Sequence, residues 1–283
     1  MRVMTHRKTN EEKEIKEIIE KSGNRLHVQV VNLLRKEGWS VLVSPYYSDN
    51  FTEKPREIDI IAEKKFDVEG LMHDWLGTLD VRLFIECKYL NGKTVLWLDA
   101  KDKAMAAERI KKDTGMQYPN HDITKLHYNS DEPVAKLFAS EKGRGGEQDV
   151  WSKAINQNLN ALVYYRSRGN IFPSEEHRAQ KRLKSIAFPL IICNSFEKLY
   201  ATEIADENET IKNIGKPFQL EVNYAYIDNN VVVDNHRGDA RNEYFLIDVM
   251  SVDLLSEFLG NLEKTDIAEV RNKIMWEKRR TSS

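Results

Sequence analysis

The chain has 283 residues, 41% hydrophobic and 31% charged, with a formal net charge of -2. This composition fits a soluble globular protein of one elaborated domain or two small ones and excludes a chain drawn to nucleic acid by bulk positive charge. No run of about 18 apolar residues occurs, and "MRVMTHRKTNEEKEIKEII" has no apolar signal core, so neither membrane spanning nor secretion is expected and the reading is cytoplasmic.

In chain order, residues 11–20 alternate Glu, Lys and Ile in a helical manner until "KSGN" interrupts them. A second helix is predicted at 24–37, with Leu26, Val30, Leu33 and Leu34 at helical spacing and Gly38 as its stop. "WSVLVSPYY" then reads as a strand, "REIDIIAEK" as a second and "DVRLFIECKYL" as a third, with a loop at 66–79 between the last two. Asn91-Gly92 before "KTVLWL" predicts a two-residue hairpin. A helix at 100–113 stops near Gly115, and 116–148 is polar and glycine-punctuated, a loop or insertion carrying Lys142 and Arg144.

From 150 to 166, Trp151, Ile155, Leu159, Leu162 and Arg166 mark successive helical turns, and "AFPLIICNS" reads as a buried strand. Further strands are predicted at 218–227, 230–234 and 243–250, and a helix at 252–275. Cys87 and Cys193 both lie in apolar strand-like runs, which suits buried, reduced thiols. No repeat, low-complexity tract or linker divides the chain, so a single elaborated domain over 1–283 is expected.

The third strand raises a chemical problem. Side chains two apart on a strand share a face, so Glu86 and Lys88 point one way while Ile85, Cys87 and Tyr89 point the other. Asp59, in "EIDI", lies on the preceding strand and approaches Glu86 if the strands pair as a meander. Two converging carboxylates beside a lysine are costly unless a divalent cation compensates them. Hard carboxylate oxygens suit Mg2+ or Mn2+, and the backbone carbonyl of Cys87 offers another oxygen. Such a metal polarises a phosphodiester and acidifies a bound water, leaving Lys88 an electrostatic and positioning role. A solvated strand face with cross-strand ion pairs gives the same local pattern, and Glu-x-Lys recurs at Glu14-Ile15-Lys16. The apolar lead-in and the upstream aspartate strand favour the metal site.

Between about 24 and 195 the chain resembles the PD-(D/E)XK nuclease superfamily, especially its Mrr-like and Holliday-junction-resolvase-like branches. The resemblance implies an α/β, restriction-endonuclease-like core: helix, three-strand antiparallel meander, helix and fourth strand. A C-terminal β/α extension follows over about 196–283. It assigns metal binding and water activation to Asp59, Glu86 and Lys88. Several branches carry a glutamine in the second helix, often followed four residues on by tyrosine. Gln157 matches the glutamine, but Ala161 stands four later, and Tyr164, seven on, shares the helical face of Gln157 and Asn160.

Many members also place a glutamate in the first helix. Here His27 shares the inward side with Leu26, Val30 and Leu34, as a replacement or as a hydrogen-bonded core histidine. Arg178, Lys181, Arg182 and Lys184 form a basic run that suits either a DNA backbone or a solvated helix. The resemblance thus implies a metal-dependent hydrolase of phosphodiester bonds acting on DNA as an endonuclease, with a homodimer or protein partner in keeping. The alternative is a catalytically silent nuclease-fold module for DNA binding or protein assembly.

Overall fold

The computed structural model describes residues 11–19, 24–70, 72–117, 119–141, 150–166, 171–172, 181–233 and 236–282. Helix α1 covers 11–19, and α2 spans Asn24–Lys36. Leu26, Val30, Val31 and Leu34 form the buried stripe of α2, the 3.6-residue repeat that seats a helix on a sheet. The predicted first strand is two: β1 (Ser40–Val43) and β2 (Tyr46–Ser48), parted where Ser44 turns to a left-handed φ of 52° before Pro45. β2 pairs with β3 (Pro55–Glu57) in a separate ribbon.

β4 (Ile60–Glu69) and β5 (Trp75–Lys88) form a long antiparallel pair. The residues expected to form a loop at 66–79 are thus mostly strand, because Phe66, Val68 and Leu79 alternate inward as strand residues do. Asp59 is not inside a strand but at the bend just before β4. After β6 (Thr94–Asp99) come α3 (Lys103–Thr114), capped by the Asp102 side chain and stopped by Gly115 at φ 73°, and β7 (Val134–Ser140). The segment read as a loop or insertion therefore supplies a strand, while Lys142 and Arg144 lie outside the described residues.

α4 (Val150–Arg166) leads towards β8 (Arg182–Cys193), followed by β9 (Leu199–Glu203), β10 (Lys212–Asn213), β11 (Phe218–Val233) and β12 (His236–Ser251). β9 and β10 were not predicted, and the strands expected at 218–227 and 230–234 are one strand with a register shift between Asp228 and Val232. The closing helical stretch runs through α5 (Leu255–Leu262), a π-helical turn at Glu263–Ile267 and α6 (Ala268–Ser282).

Among the described residues ten strands form one mixed sheet in the order β1-β4-β5-β8-β12-β11-β7-β6-β9-β10. β1, β4 and β5 are an antiparallel meander, and β8 adds parallel to β5. The C-terminal strands extend this sheet, β12 pairing parallel with β8. Consecutive β5 and β6 do not form the hairpin that Asn91-Gly92 suggested. Both edges of β5 are already taken, by β4 and β8, and the Leu90 amide donates instead to Asn194 Oδ1 at 2.8 Å. Five strand spacings in a flat sheet would separate β5 from β6 by about 24 Å, whereas the short 89–93 connection reaches roughly 20 Å. The sheet must therefore coil.

β5 is buried from Gly77 to Cys87. At Gly77 a Cβ would lie 2.3 Å from the Lys181 carbonyl, so only glycine permits this approach to β8. α4 packs on β5 and β8, and α2 on β1, β4 and β5. Cys87 and Cys193 are free and buried. Among the described residues no helix is long and apolar enough to cross a membrane.

Candidate active site

Strand alternation and helix packing fix which way the β5 side chains point. Phe84 meets Tyr165 of α4 with ring centroids 6.3 Å apart, so Glu86 and Lys88, on the same strand face, also point to the α4 side. Glu86 has no solvent exposure. The register that pairs Ile60 with Ile85 brings Asp59 level with Glu86, and Asp59 Oδ2 accepts from the Cys87 amide at 2.7 Å. The Ser44 amide holds the Asp59 carbonyl at 2.8 Å and so prolongs the β1–β4 pairing through the bend.

Lys88 Nζ donates to Glu86 Oε2 at 2.7 Å and stands 4.0 Å from Asp59 Oδ2. Glu86 Oε1 is buried and has no hydrogen-bond partner among the described residues. A fully buried carboxylate with one oxygen unsatisfied is expensive, and its protonation responds. Burial pushes the Glu86 carboxyl up to about 7, with Lys88 opposing and Asp59 reinforcing the shift. Asp59 behaves differently: burial opposes its charge, but the His27 hydrogen bond, the Lys88 charge and the Cys87 amide together hold it below its usual range. Burial likewise works against the charge of Lys88, yet Glu86 and Asp59 outweigh it and keep the ammonium protonated. The two carboxyls thus diverge, the pattern expected where environment divides roles between neighbouring acids.

His27 Nε2 lies 3.3 Å from Asp59 Oδ2, and this contact raises the affinity of the imidazole for its proton. The expected first-helix position is therefore beside Asp59. His27, Asp59 and Cys87 also offer ligand atoms within 4.8 Å of one another, but burial keeps the Cys87 thiol well above its ordinary value and hence protonated. The donor set is then carboxylate oxygen with one imidazole, which suits Mg2+ or Mn2+ better than a thiolate-seeking ion. The unpartnered Glu86 oxygen beside Asp59 fits such a cation, which would supply the missing contact.

Gln157 reaches this region from α4. Its Nε2 donates to the Glu57 carbonyl at 3.1 Å, two residues before Asp59, while its Oε1 is buried without a partner among the described residues. Tyr164 packs at a tilt on Tyr47, 6.0 Å between centroids, and edge-on against Tyr165. Tyr47 itself was missed: its hydroxyl donates to the Gln157 carbonyl at 3.1 Å, and burial followed by the Glu86 charge raises its pKa. Tyr47 and Gln157 also line a cavity of about 670 Å³ with Arg56, Lys153, Asn156 and Tyr224.

Asn158 was missed as well. It is fully buried, and its Nδ2 donates at 2.8 Å to both the Phe84 and Leu190 carbonyls, clamping α4 over the seam between β5 and β8. The sequence signal was present as an amide at an apolar-face position of "AINQNLNAL".

The basic run lies elsewhere. Arg178 falls outside the described residues, and Lys181, Arg182 and Lys184 lead into and begin strand β8, not a helix. Arg182 pairs with Thr78 and Lys184 with Leu79, whereas Ile191 pairs with Glu86, so these two lie nine and seven residues, about 30 and 23 Å, along the sheet from the carboxylates. Lys184 is half-buried there, and burial followed by the charge of Lys273 lowers its pKa.

No known protein family, curated protein or solved structure matches the chain.

Proposed function

We propose that the chain is a metal-dependent nuclease that hydrolyses phosphodiester bonds, with DNA as its substrate and endonucleolytic cleavage as its mode. The observation that carries this reading is Glu86: fully buried, tied to Lys88 through one oxygen and unpartnered at the other, with Asp59 alongside. The succession α2, β1, β4, β5, α4 and β8, with its antiparallel meander and parallel fourth strand, supports the restriction-endonuclease-like reading.

Asp59 and Glu86 would hold Mg2+ or Mn2+, with the Cys87 carbonyl as a further oxygen and His27 beside Asp59. When bound, the ion supplies Lewis acidity towards the phosphate and a more acidic water. The chain's own groups do the rest. Lys88, held protonated by both acids, offers an ammonium to orient water or meet charge building on the phosphate. Asp59, ionised throughout the neutral range, keeps a constant negative charge at the site. Gln157 steadies the approach to Asp59 through the Glu57 carbonyl. Lys153 at the adjoining cavity gives a strand of DNA positive charge to follow, while Arg56 there is paired with Asp49 at 3.3 Å.

The test is cleavage of supercoiled, linear and single-stranded DNA by wild type and Lys88→Ala, each with Mg2+, Mn2+ or EDTA. Wild type should cut with metal and stop with EDTA, and Lys88→Ala should lose at least about a hundredfold in rate. Absence of cutting together with absence of Mn2+ binding in a titration would overturn the proposal in favour of a silent binding module.

A further inference from the structure

On the sheet face opposite the candidate active site lies a second constellation. Asp248 pairs in register with Leu190, and Leu190 with Ile85, so Asp248 shares the face that Glu86 turns away from. His127 stands between two acids, its Nδ1 2.8 Å from Asp266 and its Nε2 3.1 Å from Asp248. Burial opposes its charge, but Asp266 and Asp248 prevail and lift it to about 10, so the imidazolium occupies Asp248 Oδ2 across the neutral range. The other oxygen of Asp248 accepts from Gln219 Nε2 at 2.8 Å.

This chain of bonds orients an amide. With its NH2 committed to Asp248, Gln219 is left with Oε1, which is buried and has no partner among the described residues. Thr202 on β9 is 4% exposed, and its hydroxyl is likewise unpartnered. Both residues line the same cavity of about 650 Å³, within the size range of small-molecule sites. Its remaining wall is largely apolar, with the rings of Phe218 and Phe258 among the lining groups. One acceptor and one hydroxyl without partners, set among aromatic and aliphatic groups, call for a flat ring carrying an N–H donor at its edge.

Charge at the rim narrows the choice. Lys216 is neutralised by Glu132 at 2.6 Å, and Lys212 is outnumbered by Glu203 and Asp206. Nothing there favours a phosphate. We propose that this cavity is a binding site for a neutral heteroaromatic ligand of the nucleoside class, with Gln219 Oε1 reading the ring edge and the Thr202 hydroxyl, three strands away in the sheet, meeting the sugar. It is separate from the carboxylate site and stands whether or not that site cuts DNA.

Saturation-transfer NMR on the full chain tests this, using adenosine, guanosine, cytidine and uridine at millimolar concentration, each beside its 5′-monophosphate. At least one nucleoside should give transfer, exceeding its monophosphate, and Lys88→Ala should bind it as wild type does. Gly215→Trp should abolish the signal. Gly215 lines the cavity, has no atom within 4 Å of where a Cβ would be and is not in the left-handed region, so a side chain can leave the backbone there without a clash at Cβ. Thr202→Val should weaken binding by about tenfold without lowering the unfolding midpoint, since it removes a hydroxyl that has no partner. The proposal fails if no nucleoside binds, if the monophosphates bind better, if both variants bind like wild type, or if Thr202→Val destabilises the fold.

Discussion

Glu86 and Glu243 are both largely buried and both lie on strands of the main sheet, yet their surroundings are opposite. Glu243 accepts from Arg109, from Lys112 at 2.6 Å, from two nitrogens of Arg166 at 3.0 Å each and from the Tyr226 hydroxyl at 2.8 Å. Burial works against its charge, but the hydrogen bonds and charge of Arg166, with Arg109, hold the carboxyl down to about 2. Among the described residues Glu86 has only Lys88 and the Asp59 backbone amide to favour its charge, and burial lifts it to about 7. A saturated carboxylate is a structural fixture, here joining α3 and α4 to β11 and β12. An undersaturated one leaves a buried oxygen that the proposed cation would complete.

The largest effect expected from this contrast is on Glu243. Glu243→Ala leaves Arg109 with Asp113 as its remaining paired carboxylate and removes the carboxylate that both Arg166 nitrogens engage, and should cost about 3 kcal/mol of stability, read by urea unfolding. A loss below about 1 kcal/mol would break the comparison at its structural end.

Glu86→Gln should instead leave stability at neutral pH unchanged or raised, while abolishing Mn2+ binding. The two glutamates also differ in the sign of their pH dependence. Protonated Glu86 contributes stability that is fully present below its unfolded value of 4.5 and lost as pH rises through about 7. Glu243 contributes stability present above 4.5 and lost as pH falls through about 2. Between pH 4.5 and 7, wild type without metal should therefore lose on the order of 3 kcal/mol relative to Glu86→Gln. Parallel unfolding midpoints across that range would show that Glu86 is not held in the state its burial implies.

The smallest effect concerns the basic run. Lys184→Ala should leave the salt dependence of DNA binding unchanged, whereas loss of a true phosphate contact lowers the slope by about 1. A reduced slope would extend the DNA footprint to the far end of β8.

Much of the core around the carboxylates was legible. The apolar stripe of α2, the turns of α4 and the runs "DVRLFIECKYL" and "AFPLIICNS" each carry a local period, so the elements that position Asp59, Glu86, Lys88 and Gln157 could be read one at a time. What failed was pairing. Asn91-Gly92 has the chemistry of a hairpin, but whether a strand edge is free depends on β8, about a hundred residues away, which no local pattern reports. The basic residues at 181–184 had the right charge, but only strand register locates them at the far end of the sheet. Tyr47 and Asn158 were overlooked for the same reason: a buried tyrosine and a mid-helix amide look ordinary until their acceptors on distant segments are known.

The Asn158 clamp has a further consequence, for the order in which the molecule assembles. β5 and β8 pair residues such as Thr78 and Arg182, so their seam closes a very long loop and belongs to the slow, non-local class of contacts. Asn158 can make both of its bonds only when the Phe84 and Leu190 carbonyls stand side by side. A one-residue slip of β8 would separate those carbonyls and turn every β8 side chain to the wrong face. A single amide thus ties the docking of α4 to the correct register of the strand pair.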